Sequence, residues 1–414
     1  MKKRKLLSII ISAVMVIAML PTMAFAEENI LEIDSQADLE GMTLDGTYTV
    51  TGDFTIDAAT FNPVENFIGT LKGGGHTITW TTSAPRLLTD SYFGIVKTNS
   101  GNIQKLNVAG VLTVSGNNKD YVSPVAAYNS GTITEVESKV EVSAAGFYNV
   151  GGIAGYNKGT ISLCRNIKPI KAMKKVGGIT GENAGTIDRC YNVGDIIGTD
   201  GSKNGVGGIA GRAGDNNAAT ETSIITNCFN WGNISCPDGK WVGGICGFEN
   251  SLSSCTNCYN AGNISGFGYR DHIAGKREGT VTNCYGLDSV HGPEEHDNAT
   301  PVSQKALEGR TTVGETGKNI VDLLNSGGTA WGQQNHAYPY IAGNSMSSVY
   351  SFTFTGPTQT EYEVDSTFNP DGLIIKATSL MGGTTILEPD EYHIVNGSGL
   401  MASQKSVTAK GTYN

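Results

Sequence analysis

The stretch Val150-Gly-Gly-Ile-Ala-Gly-Tyr-Asn-Lys-Gly-Thr-Ile-Ser-Leu-Cys-Arg-Asn166 decides the fold, because the chain writes it repeatedly with variations. Related phrases run from about Tyr92 to about Val290, and alignment on Ile153 places its equivalents at Ile95, Val125, Ile179, Ile209, Ile245 and Ile273. The successive spacings are 30, 28, 26, 30, 36 and 28 residues. A period in this range predicts stacked repeats, in which each unit is too small to bury its own apolar face and relies on a neighbour at either side.

Three columns follow from this register. Leu106, Val136, Cys164, Cys190, Cys228, Cys258 and Cys284 share one position, and Ile103, Ile133, Ile161, Ile187, Ile225, Cys255 and Val281 stand three residues earlier. A third column, Val96, Ala126, Ala154, Thr180, Ala210, Cys246 and Ala274, is mostly small. Inward positions of a stacked β coil need such uniformly apolar or small residues. A spacing of three breaks strand alternation, so a bulge or corner is expected between the Ile and Cys columns if both face inward.

The bends are equally regular. Asn99-Ser-Gly101, Asn129-Ser-Gly131, Asn157-Lys-Gly159 and Asn183-Ala-Gly185 mark one bend, and Asn192-Val-Gly194, Asn230-Trp-Gly232 and Asn260-Ala-Gly262 another. Glycine is expected there to supply φ > 0. Three short strands and three bends per unit give the expected fold, an all-β, right-handed parallel β-solenoid of about seven rungs with capping elements. At about 4.8 Å per rung the stack is roughly 34 Å long, and stacked Asn amides come within hydrogen-bonding reach of each other. Insertions at Gly198–Asn204, Gly214–Glu221 and Asn250–Ser254 fall between strands and are expected to protrude as loops, the first place to look for binding.

Residues 1–26 read as a secretory signal peptide, with Lys2-Lys-Arg-Lys5 before an apolar run and Ala24-Phe-Ala26 as the cleavage site. Its removal leaves 25 Lys and Arg against 39 Asp and Glu, a net charge of −14. That balance disfavours nucleic acid and anionic lipid as partners, and no second apolar run is long enough to span a bilayer. Residues 27–91 are expected to supply the N-terminal cap and first strands, 92–290 the repeats, and 291–345 a C-terminal cap with helices in Pro301–Leu307 and Lys318–Asn325. Ala330-Trp-Gly and Ala337-Tyr-Pro-Tyr-Ile341 are expected to cover the open end of the last rung. From 346 to 414, Ser351–Thr355, Thr360–Val364 and Leu373–Thr378 read as strands of a small β-sandwich that stops short of its last strand.

Eight cysteines in an exported chain raise the question of disulfides. Yet seven of them occupy columns where other rungs carry Leu, Val, Ile, Ala or Thr, so stacked free thiols acting as small hydrophobes are expected. Cys255-x-x-Cys258 has no second pair at zinc-finger spacing. His291-Gly-Pro-Glu-Glu-His296 is one residue too long for His-x-x-Glu-His, and Gly292-Pro293 forbids the helix that pairing on one metal needs. Glycoside cleavage needs two carboxylates about 5 to 9.5 Å apart, whereas the candidates Asp188, Asp195 and Asp271 fall in different columns. Asp200 and Asp215 could serve a loop calcium site, though solvated loop acids are the plainer reading. Trp231, Trp241 and Tyr269 could stack on sugars or pack in the core.

The Val-Gly-Gly-Ile-x-Gly phrases at 150–155, 176–181, 206–211 and 242–247, each followed by a Cys-x-Asn-x-Gly or similar phrase, resemble the GLUG motif repeat of bacterial surface and secreted proteins. Leu106 and Val136 depart from its Cys position. Residues from about 349, with Tyr362-Glu-Val, Phe368-Asn-Pro-Asp-Gly-Leu373, Tyr392 and Lys405-Ser-Val-Thr, resemble a partial bacterial Ig-like domain. Both resemblances imply a secreted or wall-associated, non-catalytic protein with no catalytic, cofactor-binding or metal residues. GLUG repeats also accompany IgA-specific metallopeptidases, whose His-Glu-x-x-His motif occurs nowhere here. The expected function is adhesion or ligand binding with host or cell-wall glycans or proteins as partners. A stalk without its own ligand is the alternative, and a polysaccharide lyase or glycosidase is a more distant one.

Overall fold

The computed structural model describes residues 30–88, 91–116, 121–200, 205–214, 220–289, 299–333, 338–342, 351–356, 371–378, 384–386, 393–395 and 408–410. The expected signal segment lies outside them. From Ile30 to Val302 every described strand pairing is parallel, and the strands stack into four sheets of ten, fifteen, seven and eight strands. The eight-stranded sheet carries one strand per turn, so the chain is a parallel β-solenoid of about eight turns. The turn beyond the expected seven comes from Val64–Phe67, Thr70–Lys72 and Thr77–Thr81, which pair with Val96–Asn99, Asn102–Gln104 and Asn107–Ser115 of the first repeat. Leu71 therefore heads the Ile column.

One turn shows the path. Asn149–Gly151, Ala154–Asn157, Thr160–Ser162, Arg165–Asn166 and Ile170–Ala172 are five short strands where three were expected. Each is too short to be stable alone, and hydrogen bonding to the turns on either side holds it. Ile103, Ile133, Ile161, Ile187, Ile225 and Cys255 lie in register, fully buried, with Val281 last in the row. The small column is likewise in register from Val96 to Ala274.

The corner required by the spacing of three is present in each of the seven repeats. Lys105, Glu135, Leu163, Arg189, Asn227, Asn257 and Asn283 all have φ between 50° and 55°, and each immediately precedes a residue of the Cys column. One left-handed residue reverses the facing of the chain, so both columns enter the core.

The Asn-x-Gly bends depart from expectation. Gly101, Gly131, Gly159, Gly185, Gly194, Gly232 and Gly262 are not among the residues with positive φ. They are glycine because the previous turn lies against them. A Cβ on Gly131 would sit 2.2 Å from the carbonyl oxygen of Gly101, and one on Gly159 would sit 2.0 Å from that of Gly131. The asparagines behave as expected: Nδ2 of Asn99, Asn129 and Asn157 each donates to Oδ1 of the next asparagine at 2.7 Å, ending on Asn183. A second ladder links Asn166, Asn192, Asn230 and Asn260 at 2.7–2.8 Å.

At the N-terminal side, helix Gln36–Glu40, capped by Ser35, sends Leu39 into the core. After the repeats, Thr300–Val302 adds a parallel strand to Tyr285–Leu287, and helices Gln304–Leu307 and Ile320–Leu324 follow. The segment beyond them does more than cover the last turn. Tyr191, Phe229 and Tyr259 stack in successive turns at 4.7 and 5.2 Å, and Trp331 packs on the latter two while the Tyr259 hydroxyl donates to Pro339 O. The cap thus folds back along the solenoid's side, because an outward aromatic ladder there offers apolar surface to bury. Further on, Ser351–Thr355, Ile374–Thr378 and Thr384–Ile386 form a three-stranded antiparallel sheet, and His393–Val395 pairs antiparallel with Thr408–Lys410. These strands are compatible with a small sandwich; the expected strand at 360–364 lies outside the described residues. Among the described residues no helix is long and apolar enough to cross a membrane.

Candidate functional site

The phrase Val-Gly-Gly-Ile-x-Gly folds the chain back sharply, so that two limbs of each turn run side by side. Its last glycine meets the limb of the preceding turn: a Cβ on Gly181 would lie 2.4 Å from Val150 N, one on Gly211 2.4 Å from Val176 N, and one on Gly247 2.2 Å from Val206 N. With no side chains between the limbs, the residues flanking this fold come together along one side of the solenoid. Thr98, Tyr128, Tyr156, Glu182, Arg212, Phe248 and Lys276 form one register row there.

The half of this flank towards the N-terminus is a tyrosine cluster. Tyr92 and Tyr121 pack at 5.2 Å, Tyr121 and Tyr156 at 5.5 Å, and Tyr128 stacks on Tyr156 at 5.3 Å. Tyr92, Tyr121 and Tyr128 are half-buried, so part of each ring remains open to solvent. Tyr156 is buried and its hydroxyl donates to Glu221 Oε2 at 2.5 Å, while Lys158 pairs with Glu221 at 2.6 Å. Burial, with help from the Glu182 carboxylate, pushes the Tyr121 hydroxyl up to about 12, and burial together with Glu221 raises Tyr156 further. Both phenols stay neutral hydrogen-bonding groups at physiological pH.

Charge and cation–aromatic contacts occupy the other half. Lys175 pairs with Glu182 at 2.6 Å, and Arg212 lies 3.8 Å from the same carboxylate and 4.5 Å above the Phe248 ring. Trp241 stacks on Phe248 at 5.0 Å, with the Lys276 ammonium 5.3 Å from the Trp241 ring. Tyr269, beside Trp241 in the next turn, is exposed. Sequence reasoning singled out Trp241 and Tyr269 but missed the tyrosine cluster, whose members belong to different phrases of the repeat and meet only after the limbs fold together.

The other candidates are dispersed. Trp231 is buried, donating from Nε1 to the Tyr259 hydroxyl at 2.8 Å and packing against Tyr338, so it serves the cap. Asp188 pairs with Arg189 and accepts from Asn227, Asp195 is exposed at a bend, and Asp271 is buried and accepts from Ile273 N. The three stand in different places along the turn. Asp200 pairs with Lys174 at 3.0 Å; Asp215, His291 and His296 lie outside the described residues. All eight cysteines are buried and free. Within the Cys column, burial pushes the thiols of Cys190, Cys228, Cys258 and Cys284 well up.

No family model matches this chain, and no curated protein matches it. Among solved structures, it is similar to a crystal structure of a protein named "putative immunoglobulin A1 protease" from Bacteroides ovatus. The identity is 19%, the match covers 75% of this chain and 91% of the other, and the TM-score is 0.50. At that identity the likeness shows the fold alone.

One buried acid was not anticipated. Glu249 occupies the register position of the first asparagine ladder, following Asn183 and Ala213, and neither carboxylate oxygen has a hydrogen-bond partner among the described residues. Burial pushes its carboxyl up to about 8 from an ordinary 4.5; Cys255 and Arg277 oppose the shift and Asp271 adds to it. Between those two pH values the unfolded chain has released this proton and the folded chain retains it, so stability falls as pH rises through that window. Glu249→Gln is therefore expected to match the wild type in thermal midpoint near pH 4 and to exceed it near pH 9. A pH series of thermal melts checks this.

Proposed function

We propose that the chain is an extracellular, non-catalytic surface protein whose solenoid presents the tyrosine flank to a host or cell-wall glycan. The carrying observation is the cluster of half-buried Tyr92, Tyr121 and Tyr128 rings, spaced by the turn repeat and outside the apolar core. Tyrosine pairs an apolar ring that sugars stack on with a hydroxyl that hydrogen-bonds them. The signal segment, the surplus of acidic residues and the resemblance to GLUG and bacterial Ig-like proteins support display outside the cell.

The test is binding of the full chain to an array of host and bacterial wall glycans, repeated with Tyr92→Ala/Tyr121→Ala. Each aromatic contact contributes about 0.5–1.5 kcal/mol, so the double variant is expected to bind roughly tenfold more weakly. Unchanged binding by the variant, or silence of the wild type across the array, would overturn the reading. The name of the structural neighbour raises a proteolytic alternative. Incubation with immunoglobulin A1 addresses it: cleavage abolished by a chelator would replace adhesion with proteolysis.

A further inference from the structure

Cys246 and Cys255 belong to different columns of the solenoid yet meet across one turn, their Sγ atoms 3.8 Å apart and both side chains fully buried. Six other turns pair these columns as Val96 with Ile103, Ala126 with Ile133, Ala154 with Ile161, Thr180 with Ile187, Ala210 with Ile225 and Ala274 with Val281. Only this turn combines an enlarged small-column residue with a reduced Ile-column residue. The two changes roughly compensate in volume, so the core stays filled, and they place two sulfurs face to face.

The column thiols differ. Cys164, Cys190, Cys228, Cys258 and Cys284 each donate to the carbonyl two residues earlier, at 3.0–3.4 Å, which fixes the sulfur toward its own backbone. Cys246 and Cys255 are hydrogen-bonded to one another instead. A second observation marks the same place. The buried carboxyl of Glu249 is three residues from Cys246 and lies against the Cys255 thiol. Buried and protonated, that carboxyl supplies no charge to stabilise a thiolate, so reduction gains nothing from thiolate stabilisation, which is the condition of a structural rather than an exchangeable bridge.

We infer that Cys246 and Cys255 are an oxidation site, forming a disulfide within the turn by exchange with an external disulfide while that turn is still open. The Cys255 thiolate attacks one sulfur of the external disulfide and releases the first external thiolate, leaving a mixed disulfide. The Cys246 thiolate then attacks the Cys255 sulfur and releases the second. Two protons and two electrons pass to the external disulfide, which leaves as two thiols, and the S–S bond of the protein replaces the one broken. Closure of the turn then buries the bridge.

The full chain is refolded with oxidised glutathione and its thiols are counted after unfolding in denaturant. Two fewer titratable thiols than the eight in the sequence are expected, with a peptide linking Cys246 to Cys255 on non-reducing mapping. The oxidised wild type is expected to melt several degrees above its reduced form. Cys246→Ala and Cys255→Val, which place the residues of neighbouring turns in these columns, are expected to fold, to keep seven thiols and to show no such difference. Eight titratable thiols after oxidative refolding, or a bridge mapped to a pair within the Cys column, would overturn the assignment.

Discussion

Gly131→Ala is expected to destabilise the solenoid by at least about 3 kcal/mol, whereas Gly328→Ala is expected to be nearly neutral. The added Cβ at 131 would lie 2.2 Å from the Gly101 carbonyl oxygen and 2.6 Å from Ser100 C, and both are backbone atoms. No rotamer relieves such a contact. The same Gly101 oxygen accepts the Thr132 N–H at 2.9 Å, and the Gly131 N–H itself donates to Asn99 O at 3.1 Å. Moving the two turns apart therefore stretches the hydrogen bonds that join them. In a repeat stack, stability is approximately a sum of unit and interface terms, and this substitution damages the interface while gaining nothing within the unit. Gly328 has no atom within 4 Å of the corresponding Cβ position and no positive φ. Equilibrium denaturation of the two variants compares the sites directly. Equal, small effects would show that the bend glycines are not held by the turn below.

How much of this was legible in the sequence depends on which residues carry the information. The Ile, Cys and small columns were readable because each turn must fill the same cross-section, so burial writes one residue class at one position in every repeat. The asparagine ladders were readable for the same reason, since a buried amide stacked at turn spacing is best satisfied by its own copy. The reason for the bend glycines was not. A glycine required by φ > 0 and one required by a close backbone look identical in sequence, and here the close backbone is decisive. The true left-handed corner was hidden from the other side: Lys105, Glu135, Leu163 and Arg189 are ordinary residues in an uncommon conformation, held there because the core demands inward side chains on both sides of the corner. Only Asn227, Asn257 and Asn283 hint at it.

The candidate site was less legible still. Tyr121 and Tyr128 flank one phrase of the repeat, in register with Asn149 and Tyr156, and their meeting depends on two limbs packing side by side, a tertiary event that no period reveals. Trp231 and Trp331 illustrate the converse. Both are conspicuous in sequence, and both are spent on the side of the solenoid, where Phe229 and Tyr259 give the cap an apolar surface to cover. Among the described residues these two outward aromatic rows thus differ in exposure: one is covered by Trp331 and Tyr338 of the cap, and the tyrosine row keeps three half-open rings.

The asparagine ladder leads to the second large effect. Asn157→Ala is expected to cost roughly 2–4 kcal/mol, and Asn99→Ala only about 1 kcal/mol, although both residues are fully buried members of one ladder. Asn157 accepts from Asn129 Nδ2 at 2.7 Å, donates to Asn183 Oδ1 at 2.7 Å and donates to Gly159 O at 3.2 Å. Its truncation leaves the Asn183 oxygen without that donor and weakens the hold on the Asn129 amide, so buried polar groups on both sides lose a partner. Asn99 stands first. Its register neighbour in the preceding turn is Phe67, and its Oδ1 has no hydrogen-bond partner among the described residues. The second ladder repeats this polarity: Asn166 follows Ser138 in register, and its Oδ1 is likewise unsatisfied. Each ladder runs in one direction, Nδ2 to the next Oδ1, so the unsatisfied oxygen falls at its N-terminal end. Removing Asn99 breaks one link and also removes an oxygen already buried without a partner, which offsets part of the loss. Denaturation midpoints of the two single variants give the comparison, and equal losses at both positions would mean that the amides act independently rather than as a directed chain.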